Sequence, residues 1–361
     1  MRLVWATVTS VRAVERGLQH LEVALDDRSC GTAICYPRLS GACEVADRVL
    51  LNATAVVLSL GTGGNHYVVA RGDSPSGIAY EDDSGGHIMK LRYTPLQHDV
   101  LSVEEQGSPH HEIMRTAENL AGLPVACCGL HSHVPLVAAA IKEADPRLRV
   151  AFVMTDQAAL PLALSDVVRA SVQARLLDVT LTCGQAFGGD LEAVNVHSGL
   201  LAARHVSHAD VAIVAIGPGV VGTATPLGHG GVAQGEAINA VASIGGRPVV
   251  VPRISFADAR QRHRGVSHHT LAALTRIAMA AAYVTVPNLP DGYAVAVEDA
   301  LDEAGVFIRH RRVDAIRSDA PPMRGLTVRS MGRTEADDPA FFAAAYAAGD
   351  TCVRLAHGED L

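Results

Sequence analysis

Val251-Pro-Arg-Ile-Ser-Phe-Ala-Asp-Ala-Arg-Gln-Arg-His-Arg-Gly-Val-Ser-His-His-Thr270 reads as an apolar strand that runs into a polar loop and then into an apolar-periodic helix. From Asp258 to His269 the loop carries one carboxylate, three arginines (Arg260, Arg262, Arg264) and three histidines (His263, His268, His269). The chain as a whole has a net charge of −8, so this segment reverses the local charge. In open α/β sheets, ligands bind where a loop leaves the carboxyl end of a strand and meets the start of a helix. The stretch therefore predicts a parallel α/β architecture and half of an anion-binding site.

The same strand–loop–helix pattern recurs upstream. Pro124-Val-Ala-Cys-Cys-Gly129 leads to Leu130-His-Ser-His133, and Arg149-Val-Ala-Phe-Val-Met-Thr155 leads to Asp156. Val179-Thr-Leu-Thr-Cys-Gly184 leads to Phe187-Gly-Gly-Asp190, and Asp210-Val-Ala-Ile-Val-Ala-Ile216 leads to Gly217-Pro-Gly219. Each is followed by an alanine-rich segment of helix length. Five such units imply a three-layer, Rossmann-like α/β domain with right-handed crossovers, in which every one of these loops emerges at one edge. Before it, short alternating segments between turn residues predict a small mainly-β, barrel-like domain. The expected division is residues 1–105 and 106–361. After Pro287 the signal weakens to short strand-like pieces and a small helix, Pro339 to Ala348, expected to pack on the sheet or on a second subunit of a homo-oligomer.

Composition narrows the function classes. Hydrophobic residues make up 48 % and aromatics only 4 %, so the core must be mainly Ala, Val, Leu and Ile, which suits strands buried on both faces. The acidic balance argues against nucleic acid as a partner but leaves a small anion open. The seven scattered cysteines include no CxxC pair, and reduced thiols in a cytoplasmic protein are the simplest account. Cys30, Cys35 and Cys43 lack a fourth ligand for a metal. The alternating start is not that of a signal peptide, and no apolar run is suited to a membrane.

Individual motifs carry competing readings. Gly217-Pro-Gly-Val-Val-Gly222 matches GxGxxG after a strand, yet Thr223-Ala-Thr-Pro-Leu-Gly-His-Gly-Gly231 intervenes before a helix can start. A loop of this kind can offer backbone N–H groups from Gly217, Gly219, Gly222 and Thr223 to an oxyanion. Asp190 reads as an N-cap, with Glu192 and Asn195 following on one helix face. Ser108 reads as the cap of a helix opening at Pro109, and Lys90 with Arg92 as one face of a strand. Ser267 is the expected cap of a helix starting at His268, which places neutral imidazoles in its first turn. Metal ligation by Asp258, His263 and His269 fits no standard spacing, so no metal ligand is assigned. Arginine forks suit carboxylate or phosphate better.

Four strings, namely Gly86-His-Ile-Met-Lys-Leu-Arg-Tyr-Thr-Pro-Leu-Gln97, Phe187 to His205, Gly217 to Thr223 and Pro252 to Thr270, resemble a bacterial family of unknown function, domain family 3866. The resemblance implies no activity, cofactor or catalytic residue. From the residues themselves, the expected function is an enzyme acting on a small anionic metabolite, phosphorylated or carboxylated, at the carboxyl edge of the sheet. Arg253, Arg262 and Arg264, with Ser255, Asp258, Asn195, His269 and the Gly217–Gly222 loop, would bind it. Asp190, Glu192 or His268 would move protons. A non-catalytic ligand sensor and a nicotinamide-dependent oxidoreductase are the alternatives.

Overall fold

The computed structural model describes residues 1–14, 17–59, 64–72, 85–316 and 319–361. In the glycine-rich string Gly61-Thr-Gly-Gly-Asn-His66, which reads in the sequence as a turn between strands, residues 61–63 lie outside the described residues. The chain divides into two compact units, Met1–Gly85 with Leu91–Asp99, and Gly86–Lys90 with Val100–Leu361.

The first unit is a closed barrel of β1 (Leu3–Val14), β2 (Leu18–Leu25), β3 (Cys30–Cys35), β4 (Arg48–Asn52) and β5 (Asn65–Arg71), in the order β1-β2-β3-β5-β4. Closure depends on the length of β1. Leu3–Thr7 of β1 pair with β4 and Ala6–Val14 pair with β2, and an irregularity in the β1–β2 register between Val8 and Ser10 lets the long strand bend. Alternate residues point inward, so Ala6, Val8, Leu21, Val23, Val49 and Leu51 fill the interior. Cys35 and Cys43 are buried there with their sulfurs 3.6 Å apart, and all seven cysteines are free thiols.

Two short strands, β6 (Ile88–Lys90) and β7 (His98–Val100), precede the second unit's main sheet. That sheet comprises β8 (Pro124–Cys128), β9 (Val150–Thr155), β10 (Val179–Cys183), β11 (Leu191–Ala193), β12 (Val211–Ile216), β13 (Arg247–Val251), β16 (Tyr283–Val286) and β17 (Arg311–Asp314). A small ribbon of β14 (Ile254–Ser255) and β15 (Gly265–Val266) lies in the loop after β13. All eight main strands run parallel, in the order β11-β10-β9-β12-β8-β13-β16-β17. Residues of β8 and β12 are buried without exception, the signature of strands covered on both faces. One apolar cluster joins the sheet to Leu200, Ile238 and Leu274; the other joins it to Val137, Ile141, Phe341 and Tyr346. The three-layer parallel fold with its barrel-like amino-terminal unit is thus the one the sequence implies.

Five elements differ from expectation. Leu191–Ala193 is an edge strand, and the helix begins only at Val196, so Asp190 caps nothing. Ser108 accepts from the His110 amide, but the helix that follows, His111–Thr116, starts later and has no side-chain cap. β16 and β17 extend the sheet, with the helix Asp291–Glu303 between them. The last helix runs from Pro339 to Ala356 and is buried along most of its length. It lies so close to the helix Val134–Ala144 that a Cβ on Gly349 would sit 2.7 Å from both the Ala140 Cβ and the Val137 carbonyl. Gly349 and Asp350 look like helix stops, and packing overrides them.

Candidate functional site

Topology fixes where a crevice must open. From β8 the chain moves outward through β9 and β10 to β11, returns to place β12 between β9 and β8, and then moves the other way through β13, β16 and β17. The reversal beside β12 is the kind of switch point at which α/β sheets hold ligands. The loops leaving β8, β9 and β12 lock together there. His131 donates from Nδ1 to the Ile216 carbonyl at 2.9 Å, which leaves Nε2 to accept from the Ser165 hydroxyl at 2.6 Å. Ala159 donates its amide to the Pro218 carbonyl at 3.0 Å. Burial lowers the His131 pKa to about 4. Gln234 is buried beneath this rim and donates to carbonyls near the ends of two adjacent strands, Cys127 and Val251, both at 2.8 Å.

Four histidines from the β12 and β13 loops gather on this edge. The segment after Gly222 turns back on itself through a Gly222–His229 bridge, with the Thr223 hydroxyl donating to the Gly228 carbonyl at 2.9 Å. The hairpin places the His229 ring flat on the His269 ring, with centroids 3.8 Å apart and planes 6° apart. His268 meets His229 edge-on at 5.3 Å and His269 at 4.4 Å, and His263 lies 4.8 Å from His269. Ser267 caps the helix at His268 as expected, accepting from the His269 amide, and its hydroxyl is 2.8 Å from His263 Nδ1. Gly231 leaves the room for this assembly, since a Cβ there would lie 2.8 Å from the His269 Cβ and 3.0 Å from His229 Nδ1.

The electrostatics keep these rings neutral. Desolvation, then the other imidazoles, then the Arg253 guanidinium lower His269 to about 2; desolvation followed by Arg253 and Arg260 lowers His263 to about 3. His229 is lowered by burial, and His268 by burial, by His229 and by Arg262. Three buried ring nitrogens, His229 Nδ1, His268 Nε2 and His269 Nδ1, have no hydrogen-bond partner. His229, His268 and His269 each offer one ligand atom within 4.8 Å of the others, so these three could hold a metal ion. His229 is the residue that sequence reasoning passed over. Its only signal is a lone imidazole inside a glycine hairpin, between Gly228 and Gly230.

The predicted anion-binding residues divide. Arg253 is buried beside the histidines and pairs with Asp258 at 3.2 Å; burial lowers its guanidinium to about 10. Asp258 also accepts from Arg260 Nε at 2.9 Å and Nη2 at 2.8 Å, which holds its carboxyl far below the usual range. Ser255 donates to Asp338 at 2.6 Å, and Arg333 bonds the same carboxylate at 3.1 Å. Ser255 and Asp258 therefore brace the loop and do not face a ligand freely. Arg262 and Arg264 are exposed. Gly217 is held by close approach, because a Cβ there would lie 2.1 Å from the Ala159 carbonyl, and Gly219 adopts φ +94°. No helix starts inside the GxGxxG string; the next α-helix is Ala233–Ser243.

Asp190 and Glu192 are tied to strand β10 and its neighbours. Asp190 is beside the amino-terminal part of β10, where its carboxylate accepts from the Thr180 amide at 2.9 Å and hydroxyl at 2.8 Å. Glu192 is buried on edge strand β11 and is fully engaged by Thr182, the Gly188 amide and Lys90 Nζ. Lys90 is completely buried, not half of a solvated strand face, and also donates to the Gly184, Ala186 and Ala193 carbonyls. These residues build the sheet edge. Asn195 caps the helix from Val196 with a reciprocal Ser198 bond and lines a cavity of about 510 Å³ with Asp156, His197, Glu236 and Asn239. Among the described residues, no helix is long and apolar enough to cross a membrane.

Comparison with curated proteins and with solved structures gives no match. Residues 32–349 match the model of a protein family described as "Protein of unknown function (DUF3866)". This span covers most of β3, the barrel strands β4 and β5 and the whole parallel sheet, and the chain therefore belongs to the DUF3866 family.

Proposed function

We propose that this protein is an enzyme acting on a small anionic metabolite, phosphorylated or carboxylated, at the histidine–arginine cluster on the carboxyl edge of its parallel sheet. One observation carries the reading: His229, His263, His268 and His269, from two loops, meet beside the buried Arg253 with ring nitrogens left unpartnered. A buried polar atom without a partner is unfavourable by about 1–3 kcal/mol, so a cluster of them favours a ligand that completes the bonds. Arg262, exposed and close enough to depress His268, supplies a solvent-facing cation at the cluster. Neutral imidazoles at such a site suit proton transfer, and His268 replaces Asp190 and Glu192 as the acid–base group.

Melting-temperature measurements across phosphate- and carboxylate-bearing metabolites test this. At least one compound is expected to raise the melt, and Arg262→Ala to reduce that shift. An unmoved melt with every compound, or shifts intact in Arg262→Ala, would overturn the proposal.

A further inference from the structure

We infer that His229, His268 and His269 form a three-imidazole site for a divalent transition metal of the zinc type. The anion reading concerns the same cluster, but the metal is argued from different observations. The first is the donor set. Three imidazoles with no thiolate suit Zn²⁺ and its neighbours Co²⁺, Ni²⁺ and Cu²⁺, and not the oxygen-seeking Mg²⁺ or Ca²⁺. The three ligand atoms already lie within 4.8 Å of one another.

The second observation is the support behind His229. Its Nε2 is 3.2 Å from the Pro226 carbonyl, which can only accept, so Nε2 carries the proton and the lone pair sits on Nδ1. That Nδ1 is buried and without a partner. A ring whose far nitrogen donates to a carbonyl while its near nitrogen faces a cluster of others is how metal-binding histidines are held. His268 Nε2 and His269 Nδ1 are likewise buried and unpartnered.

The third is the origin of the ligands. His268 and His269 are adjacent at a capped helix start, while His229 comes from the hairpin of a different loop, so the site pins the two loops together. Tetrahedral zinc places its nitrogen ligands about 3.3 Å apart, from a Zn–N distance of about 2.0–2.1 Å. Binding therefore draws the rings inward and turns His229 and His269 out of their parallel stack. Three protein ligands leave a fourth position for water or a substrate oxygen, where the metal would act as a Lewis acid; with the metal bound, His268 would be a ligand and its acid–base role would pass to the bound water.

The test is metal retention by the full chain with no anionic metabolite present. Protein stripped with a chelator, dialysed against Zn²⁺ and then against metal-free buffer is expected to keep one equivalent. His229→Ala should weaken binding by on the order of 10- to 100-fold or more, at least the loss seen when a supporting group is removed. His268→Ala with His269→Ala should abolish it, and His197→Ala, an exposed histidine outside the cluster, should leave it unchanged. X-ray absorption on the unmutated zinc-loaded chain needs no variant and should show nitrogen ligands with imidazole scattering. Failure to retain zinc, equal retention in the cluster variants, or sulfur in the first coordination sphere would overturn the inference. Zinc retention without any metabolite shift would sink only the anion reading, and metabolite binding by a chain that never retains zinc would sink only this one.

Discussion

Lys90 has no exposed surface, and its ammonium shares three N–H bonds among three carbonyls and the Glu192 carboxylate. Removing one member of such a buried pair leaves the other charge uncompensated, at a cost of about 3–5 kcal/mol. Lys90→Met is accordingly expected to lower unfolding free energy by that amount in urea titration, and adding Glu192→Gln should lose less than the sum of the single changes. A neutral Lys90→Met would show that the pair does not organise the sheet edge. The sequence could not reveal this pairing, because a lysine 102 positions from its partner leaves no local pattern. Asp190 and Glu192 looked catalytic for a related reason: polar residues in an apolar stretch suggest a site, and the bonds from Thr180 to exposed Asp190 and the burial and bonding of Glu192 account for them equally well. Arg253 and the adjacent His268 and His269 were legible, since they stand in one charge-reversed string.

At the scale of elements, strand-to-loop boundaries were easier to read than the identity of short edge pieces. Leu191–Ala193 has only three residues, too few for a period, and its strand state comes from pairing with β10. The long final helix was truncated in the sequence reading at Ala348, since a glycine normally ends a helix. In the fold Gly349 is a contact surface for the helix Val134–Ala144. Gly349→Ala is expected to overpack that interface and lower stability by about 1–3 kcal/mol, measured by thermal or chemical unfolding. The hairpin after Gly222 makes a sharper functional prediction. Gly231→Ala presses on His229 and His269 together, so it should diminish ligand-induced melting shifts more than it lowers the unliganded melt. Equal shifts in the variant and the parent would mean that ring placement does not matter to binding.

For the whole molecule, the parallel sheet and the barrel-like unit were legible from repeated apolar strands and short alternating ones, because these patterns follow directly from burial on two faces or one. How loops converge was legible only as a common edge; that His229 rather than Asp258 joins the histidines depends on a hairpin no periodicity encodes. The sheet's burial also sets a pH response. Desolvation lowers His131 to about 4 and, with a smaller contribution from Arg253, His133 to about 3. Each folded-state value is below the ordinary 6.5, so the unfolded chain binds protons first on acidification. Their contribution is fully present above pH 6.5 and is lost as pH falls towards 4 and 3, at about 1.4 kcal/mol per pH unit for each histidine. Unfolding free energies measured from pH 7.5 down to pH 5 should therefore decline, and His133→Leu should flatten the decline; an unchanged slope would contradict the assignment.

The proposed function requires that the histidine–arginine edge bind an anion. The most direct measurement follows the nitrogen-15 resonances of the histidine rings while inorganic phosphate, or the best metabolite from the melting screen, is titrated in. Saturable movement of His268, His269 and His229 with His197 unmoved is the predicted result. Movement confined to histidines outside the cluster, or none at concentrations that shift the melt, would contradict it.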